Sequence, residues 1–222
     1  MNAPHLPADA LNAATAEVAR HGIKVLQGYR LAPTDEAHVS ALLRYMAPDA
    51  DATIVDIGCG FGEVARLMAI ERPDLDFILV NSNALQLSFA PTCFHHVLAD
   101  MHDMPLRDGC ADGVMFLYSL CHADFHAALA EAARVTRPGG MLFVFDYDRL
   151  RGDNYRMTTR LCARAIPYAE MAQIAMDTGW RPVMRDYPDG DDALFRGLFE
   201  SAVEYARIFD DLVPIVWKAR RT

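Results

Sequence analysis

The pattern of apolar and polar positions divides the chain into three stretches. Residues 1 to about 20 are rich in alanine, include Pro4 and Pro7, and read as a frayed start leading into a helix. Thr34 to Met46 places Ala37, Val39, Leu42, Leu43 and Met46 at helical spacing, with Asp35 and Glu36 in the first turn where the helix dipole favours acids. From Ala52 onward the period changes. Short apolar runs at Ala52–Ile57, Phe77–Val80, Phe94–Leu98, Gly113–Tyr118 and Met141–Phe145 predict strands, and Glu63–Glu71 and Phe125–Thr136 predict helices among them. Strands alternating with helices point to a parallel sheet covered on both faces. The last third predicts a helix over Tyr168–Thr178 stopped by Gly179, a strand over Pro182–Tyr187, a longer amphipathic helix over Leu194–Phe209 and a final strand over Val213–Ala219. Between Tyr147 and Pro167 lie five arginines (149, 151, 156, 160 and 164) that fit neither a core strand nor a simple linker. With no internal repeat and no low-complexity tract, one α/β domain with an insertion is the economical expectation.

Composition narrows the function. The formal net charge is −9 and the isoelectric point near 5.3, so a chain that grips phosphodiester backbones is not expected and nucleic acid is set aside as a partner. The five cysteines (Cys59, Cys93, Cys110, Cys121 and Cys162) are odd in number and form no CxxC pair, which predicts reduced thiols rather than a disulfide framework or zinc knuckle. His122 and His126 stand four apart with Asp124 between them, but no third ligand follows at a recognisable spacing, so no metal is expected. The N-terminus lacks a basic region followed by an apolar core, and no apolar run approaches the ~20 residues of a spanning helix; the expectation is a cytoplasmic protein without a membrane partner.

The sharpest local feature is Val55-Asp56-Ile57-Gly58-Cys59-Gly60-Phe61-Gly62-Glu63, a strand that runs into closely spaced glycines and then a helix. Glycine permits a tight turn and lets a ligand approach without a Cβ, and the helix behind presents free N–H groups. A dinucleotide fingerprint would be GxGxxG; here the order is GxGxG and Glu63 occupies the third position, which disfavours a nicotinamide oxidoreductase.

This loop resembles the first signature of the class I S-adenosylmethionine-dependent methyltransferases. Three further segments resemble the family in the same order: Asn81-Ser82-Asn83-Ala84-Leu85-Gln86, Leu98-Ala99-Asp100-Met101, and Ala111 to Ala123 continuing through Glu131 to Gly140. The likeness covers roughly residues 40 to 148. It implies a Rossmann-like, doubly wound, mixed seven-stranded sheet with helices on both faces, and S-adenosylmethionine as cofactor. It also implies a helical segment over 1–48 that covers the active site, followed by the methyltransferase domain over 49–222 with the arginine-rich insertion at about 148–167. Carried over residue by residue, Asp56, Gly58, Gly60 and Gly62 hold the methionine part. Asn81, Ser82 and Gln86 hold the ribose, Asp100 accepts from the adenine amine and Met101 packs on the ring. Most members keep an acid where Asn81 stands; the N-x-N-x-x-Q arrangement is similar to the sterol and cyclopropane-fatty-acid branches.

Methyl transfer from a sulfonium is an in-line displacement, and the reacting centre of a doubly wound sheet lies at the carboxyl ends of its strands. Tyr118 and His122 are therefore the catalytic candidates, and Tyr29, Cys121, Tyr147, Arg151 and Tyr155 the candidate acceptor contacts. The Cys121-His122-Ala123 step resembles sterol and geranyl diphosphate C-methyltransferases, which leans toward an isoprenoid or other natural-product carbon. Those enzymes keep a glutamate where this chain has Tyr118, which weakens the mechanistic likeness and leaves O- or N-methylation of a small metabolite, or cofactor binding without transfer, as alternatives. The arginines at 149–164 are either a solvated face or a lid for an anionic substrate. The Leu194–Phe209 helix could pack on the sheet or on a second copy, so a homodimer stays open.

Overall fold

The computed structural model describes residues 8–25, 27–153, 155–192, 208–209 and 211–222. The strands are β1 (Thr53–Ile57), β2 (Asp76–Asn81), β3 (His95–Leu98), β4 (Ala111–Leu117), β5 (Thr136–Arg149), β6 (Trp180–Asp186) and β7 (Leu212–Arg221). They form one sheet in the order β3-β2-β1-β4-β5-β7-β6. The first five strands pair in parallel, and β7 inserts antiparallel between β5 and β6. The helices are α1 (Ala8–Arg20), α2 (Asp35–Met46), α3 (Glu63–Glu71), α4 (Ala84–Ser88), α5 (Phe125–Val135), α6 (Tyr155–Leu161) and α7 (Tyr168–Asp177), with a 3-10 turn at Leu120–His122.

The period-2 alternation of the central strands sorts side chains into two apolar layers. Val55, Ile57, Val114, Phe116, Leu142 and Val144 face one layer, completed by α5, α7, Trp180 and Trp217. Ile54, Met115, Leu117, Phe143 and Phe145 face the other, closed by α2 and α3 through Leu42, Met46, Val64 and Met68. Both faces of β1, β4 and β5 are thus buried, which is why these strands read as continuous apolar runs. The chain leaves β1 toward β2 on one side and returns to β4 on the other. The crevice opened by that reversal, at the carboxyl ends of β1 and β4, is where this topology places a ligand.

Side-chain caps set the helix starts. Thr34 accepts from Ala37 N at 3.2 Å, Asn83 from Gln86 N at 2.8 Å and Asp124 from Ala127 N at 3.0 Å. The structure departs from the sequence expectation at several edges. Pro138-Gly139-Gly140 does not precede β5 but bulges within it, because Ala111 pairs with Thr136 and Gly113 with Met141. A Cβ on Gly140 would meet Asp112 O at 2.7 Å, so the bulge needs glycine. Tyr147–Arg149 continue β5 against β7 instead of opening the insertion. Strand β6 starts at Trp180, whose indole is buried and donates to Leu129 O at 2.9 Å. Helix α4 has no counterpart in the apolar pattern, and the expected Leu194–Phe209 helix lies outside the described residues apart from its last two positions. Among the described residues no helix is long and apolar enough to cross a membrane.

Helix α1 packs beside α4, which follows the carboxyl end of β2. Its Asn12 Oδ1 accepts from Asn83 Nδ2 at 2.9 Å, and its Thr15 Oγ1 accepts from Gln86 Nε2 at 3.1 Å.

Candidate active site

A cavity of about 490 Å³ occupies the switch-point crevice, within the range of small-molecule sites. Leu11 of α1 lines it on one side, with Lys24 and Gln27 from the segment that follows. On its floor the glycine loop turns through left-handed conformations at Gly58 (φ +77°), Gly60 (+55°) and Gly62 (+66°). A Cβ on Gly58 would stand 2.4 Å from Ser119 Cβ, so the β1 and β4 loops approach each other only because that Cβ is missing. Ser119 Oγ donates to Ile57 O at 2.5 Å and ties the same two loops. Gly62 is the N-cap of α3 and packs on Leu79 and Ala90, where a Cβ would meet Leu79 Cδ1 at 2.7 Å. It shapes the loop from beneath and does not itself line the cavity.

Asp56 lines the cavity but is only 2% exposed, and burial alone lifts its carboxyl to about pH 7. A buried carboxylate turned toward a cavity, with a glycine cradle beside it, fits a ligand that brings its own positive charge.

Asn81, Ser82 and Gln86 also line the cavity, yet the amides are more engaged than the sequence implied. Asn81 Oδ1 accepts from Asn83 N at 2.9 Å, while its Nδ2 donates to Gly60 O (3.3 Å) and Gln86 Oε1 (3.1 Å). Asn81 thus braces the glycine loop against α4, and Gln86 carries the brace on to Thr15 of α1. Asp100 and Met101 line the cavity as well. Sequence reasoning missed their neighbour His102, which also lines the cavity. Its Nδ1 is 2.5 Å from Asp100 Oδ1, and its Nε2 accepts from Asp124 N at 3.0 Å.

At the end of β4, Tyr118 adopts φ +56°, unusual for a side chain of its size, and its ring packs against Phe145 (centroids 4.8 Å) and Tyr147 (4.9 Å). Burial, with Tyr147 and Asp146 beside it, pushes its phenol well above its ordinary value. That removes Tyr118 as a base at neutral pH and leaves it as part of the cavity wall. His122 lines the cavity two residues before α5's N-cap, with Nδ1 3.2 Å from Cys162 O. Cys162 and Leu117 complete this end.

The other expected acceptor contacts fall elsewhere. Cys121 and Tyr147 do not line this cavity; the 3-10 turn directs Cys121 inward, where its N–H donates to the buried Asp146 at 3.0 Å. Both border a separate small void. Tyr29 packs beneath the 188–191 loop and donates to Pro188 O at 3.3 Å, because Arg30 and Asp191 pair as an isolated β-bridge. Arg151 is exposed on a bend away from the cavity, and the placement of the Tyr155 side chain lies outside the described residues. Arg149 is bonded to Gly152 O, and Arg164 stacks over Phe125 at 4.5 Å, so neither lines the cavity. Among the described residues no three His, Cys, Asp or Glu side chains converge as a metal site.

This sheet order is the Rossmann-like, doubly wound mixed sheet that the glycine-loop signatures implied, and comparison with known proteins finds the same fold. Residues 55–144 match the family model described as a methyltransferase domain. The O-methyltransferase cnsE of Penicillium expansum is 29% identical over 141 residues, covering 60% of this chain and 46% of that protein. The chain spans about half the length of the curated relatives it first matches. Two solved structures show the same fold. The [4+2]-cyclase SpnF matches at TM-score 0.77 and 14% identity over 100% of this chain and 99% of that one. Geranyl diphosphate C-methyltransferase from Streptomyces coelicolor, solved with Mg²⁺, geranyl diphosphate and S-adenosyl-L-homocysteine, matches at TM-score 0.73 and 16% identity over 85% and 78%. The chain therefore has a Rossmann-like doubly wound sheet whose residues 55–144 match a methyltransferase domain.

Proposed function

We propose that the chain methylates an oxygen or nitrogen atom of a small polar acceptor, with His122 taking the acceptor's proton. The observation that carries this reading is the placement of His122 in the same cavity as the glycine loop, with Nδ1 directed at the Cys162 carbonyl. That bond selects the tautomer whose Nε2 is basic. S-adenosylmethionine, when bound, supplies an electrophilic methyl group on a sulfonium. Asp56 balances its positive charge, the glycine turn gives the methionine chain room, and Asn81, Ser82 and Gln86 form the ribose edge. Asp100 accepts from the adenine amine while Met101 covers the ring. Helix α1 excludes water from above.

A lone-pair acceptor suits these walls better than an alkene does. Carbon methylation of an alkene creates a cation that needs aromatic faces and a base to quench it. Among the described lining residues only Tyr118 offers a carbocyclic ring, and its phenol is held protonated. The second reading, transfer to an isoprenoid-like carbon, is favoured by the Asn81–Gln86 and Cys121-His122 arrangements, with the Tyr118 ring steadying the cation.

Both readings are tested by incubating labelled cofactor and the full chain with phenols, amines and isoprenoid diphosphates. A methylated phenol or amine supports the first, and product from the diphosphates alone supports the second. Cofactor binding with no turnover on any acceptor would indicate a methyltransferase fold that binds without transferring. On the productive acceptor, His122→Ala is expected to lower kcat about 10²- to 10⁴-fold while the Kd for S-adenosylhomocysteine stays within about twofold.

A further inference from the structure

The Asp100 carboxylate does not stand alone at its end of the cavity. Residues 100–103 close a tight turn in which Asp103 N donates to Asp100 O at 3.1 Å, with His102 folded back on the carboxylate. Two donors of His102 meet the same oxygen: its backbone N–H at 3.0 Å and its ring Nδ1 at 2.5 Å from Asp100 Oδ1. The opposite ring nitrogen accepts the Asp124 backbone N–H at 3.0 Å, which makes Nδ1 the protonated nitrogen. The imidazole is therefore clamped between a carboxylate at the cavity wall and the first residue of the α5 cap, and it lines the cavity itself. A carboxylate on an exposed turn has free rotation about its χ angles; one that receives two donors on a single oxygen is fixed in rotation.

We infer that His102 is a positioning residue that sets the base selectivity of the cofactor site, by holding Asp100 in the orientation that accepts an exocyclic amine. This rests on the reading of Asp100 as the adenine acceptor. An amine donates to a carboxylate, whereas the carbonyl oxygen at the same position of hypoxanthine repels it, so a fixed Asp100 discriminates between the two bases. A carboxylate free to rotate away relieves that repulsion and loses the preference. Through Asp124 the same ring joins the adenine end of the cavity to the turn that carries His122.

The test compares binding of S-adenosylhomocysteine and S-inosylhomocysteine to the full chain by calorimetry. Wild type is expected to prefer the adenine form by at least about tenfold. His102→Gln reproduces the acceptor toward Asp124 N but not the donor toward Asp100, and the preference is expected to shrink to about twofold. His102→Asn reproduces the donor toward Asp100 and is expected to keep most of the preference. Far-ultraviolet circular dichroism confirms that each variant is folded; a purely structural role would be rescued by glutamine and not by asparagine. Retention of the wild-type ratio in both His102→Gln and His102→Phe, while Asp100→Asn abolishes it, would overturn the inference about His102. A ratio unmoved by Asp100→Asn would instead overturn the assignment of Asp100 to the adenine.

Discussion

On the proposed reading, in which Asp56 meets the cofactor's ammonium group, a single buried carboxyl makes cofactor binding depend on pH. Burial lifts its carboxyl to about pH 7, so below that pH the empty site holds a neutral acid. S-adenosylhomocysteine brings an ammonium group, which favours the ionised form. Binding below pH 7 must therefore release the Asp56 proton, and affinity is expected to rise about tenfold per pH unit from pH 5 to 7 and then level. Asp56→Asn is expected to bind more weakly with a nearly flat profile; calorimetry across that range, in buffers of different ionisation enthalpy, reads both affinity and proton release. Asp56 was legible in the sequence because it sits in a local motif, and so were Gly58, Gly60, Asn81, Ser82, Gln86, Asp100, Met101, Tyr118 and His122, all of which line one cavity. Leu11, Lys24, Gln27 and Cys162 were not, since they arrive from distant stretches with no spacing of their own to mark them. His102 stood two residues from a carboxylate already singled out. Asking what holds that carboxylate in place would have found it.

Helix α1 is tied to the rest of the molecule through the same polar groups that edge the cavity. Asn12 and Thr15 meet Asn83 and Gln86, and Gln86 is in turn bonded to Asn81, which holds the glycine loop at Gly60. Helix α1 and the glycine loop thus share one chain of neutral polar groups, and on the proposed reading α1 is the roof over the bound cofactor. Replacing Asn12 and Thr15 with alanine removes two of these bonds without touching the sheet. The double variant is expected to lose about tenfold in S-adenosylhomocysteine affinity, chiefly through faster release, with Tm of the unliganded chain shifted by no more than about 3 °C. Stopped-flow displacement and thermal melts check the two halves; an unchanged release rate would mean that α1 is not a roof. The central elements were legible because β1, β4 and β5 are buried on both faces and α2, α3 and α5 carry one apolar side. Less legible were features set by pairing rather than by period. The bulge at Pro138-Gly139-Gly140 and the extension of β5 to Arg149 follow from the partners at Ala111 and Leu212, and no local pattern announces them. Helix α4 is one short turn fixed by the Asn83 cap, too brief to establish a helical period.

At the scale of the whole molecule, three buried titratable groups set how stability follows pH. Asp56 and Asp146 both have carboxyls raised to about 7 by burial, and His38 lies fully buried with its imidazole lowered to about 3. Each carboxyl keeps its proton in the folded chain up to about pH 7 but loses it near 3.8 when unfolded, so its contribution to stability falls as pH rises through that window. His38 has the opposite sign: unfolded it takes a proton below 6.5, folded only below about 3, so its contribution falls as pH drops. Between pH 4 and 6.5 the two carboxyls outweigh the one imidazole by a single proton, which costs about 1 kcal/mol of stability per unit of rising pH. Asp112, Asp124 and Glu131, held below their ordinary values by their bonds to Thr53 N, Ala127 N and Arg134, lose their contribution only on acidification past their usual range. The unfolding free energy of the unliganded chain in urea is therefore expected to fall from pH 5 to pH 6.5. Asparagine at both Asp56 and Asp146 removes the two titrations and leaves His38, so the slope of the double variant should reverse and stability should rise over the same interval. A double variant that keeps the falling slope would place the titration in groups other than this carboxylate pair.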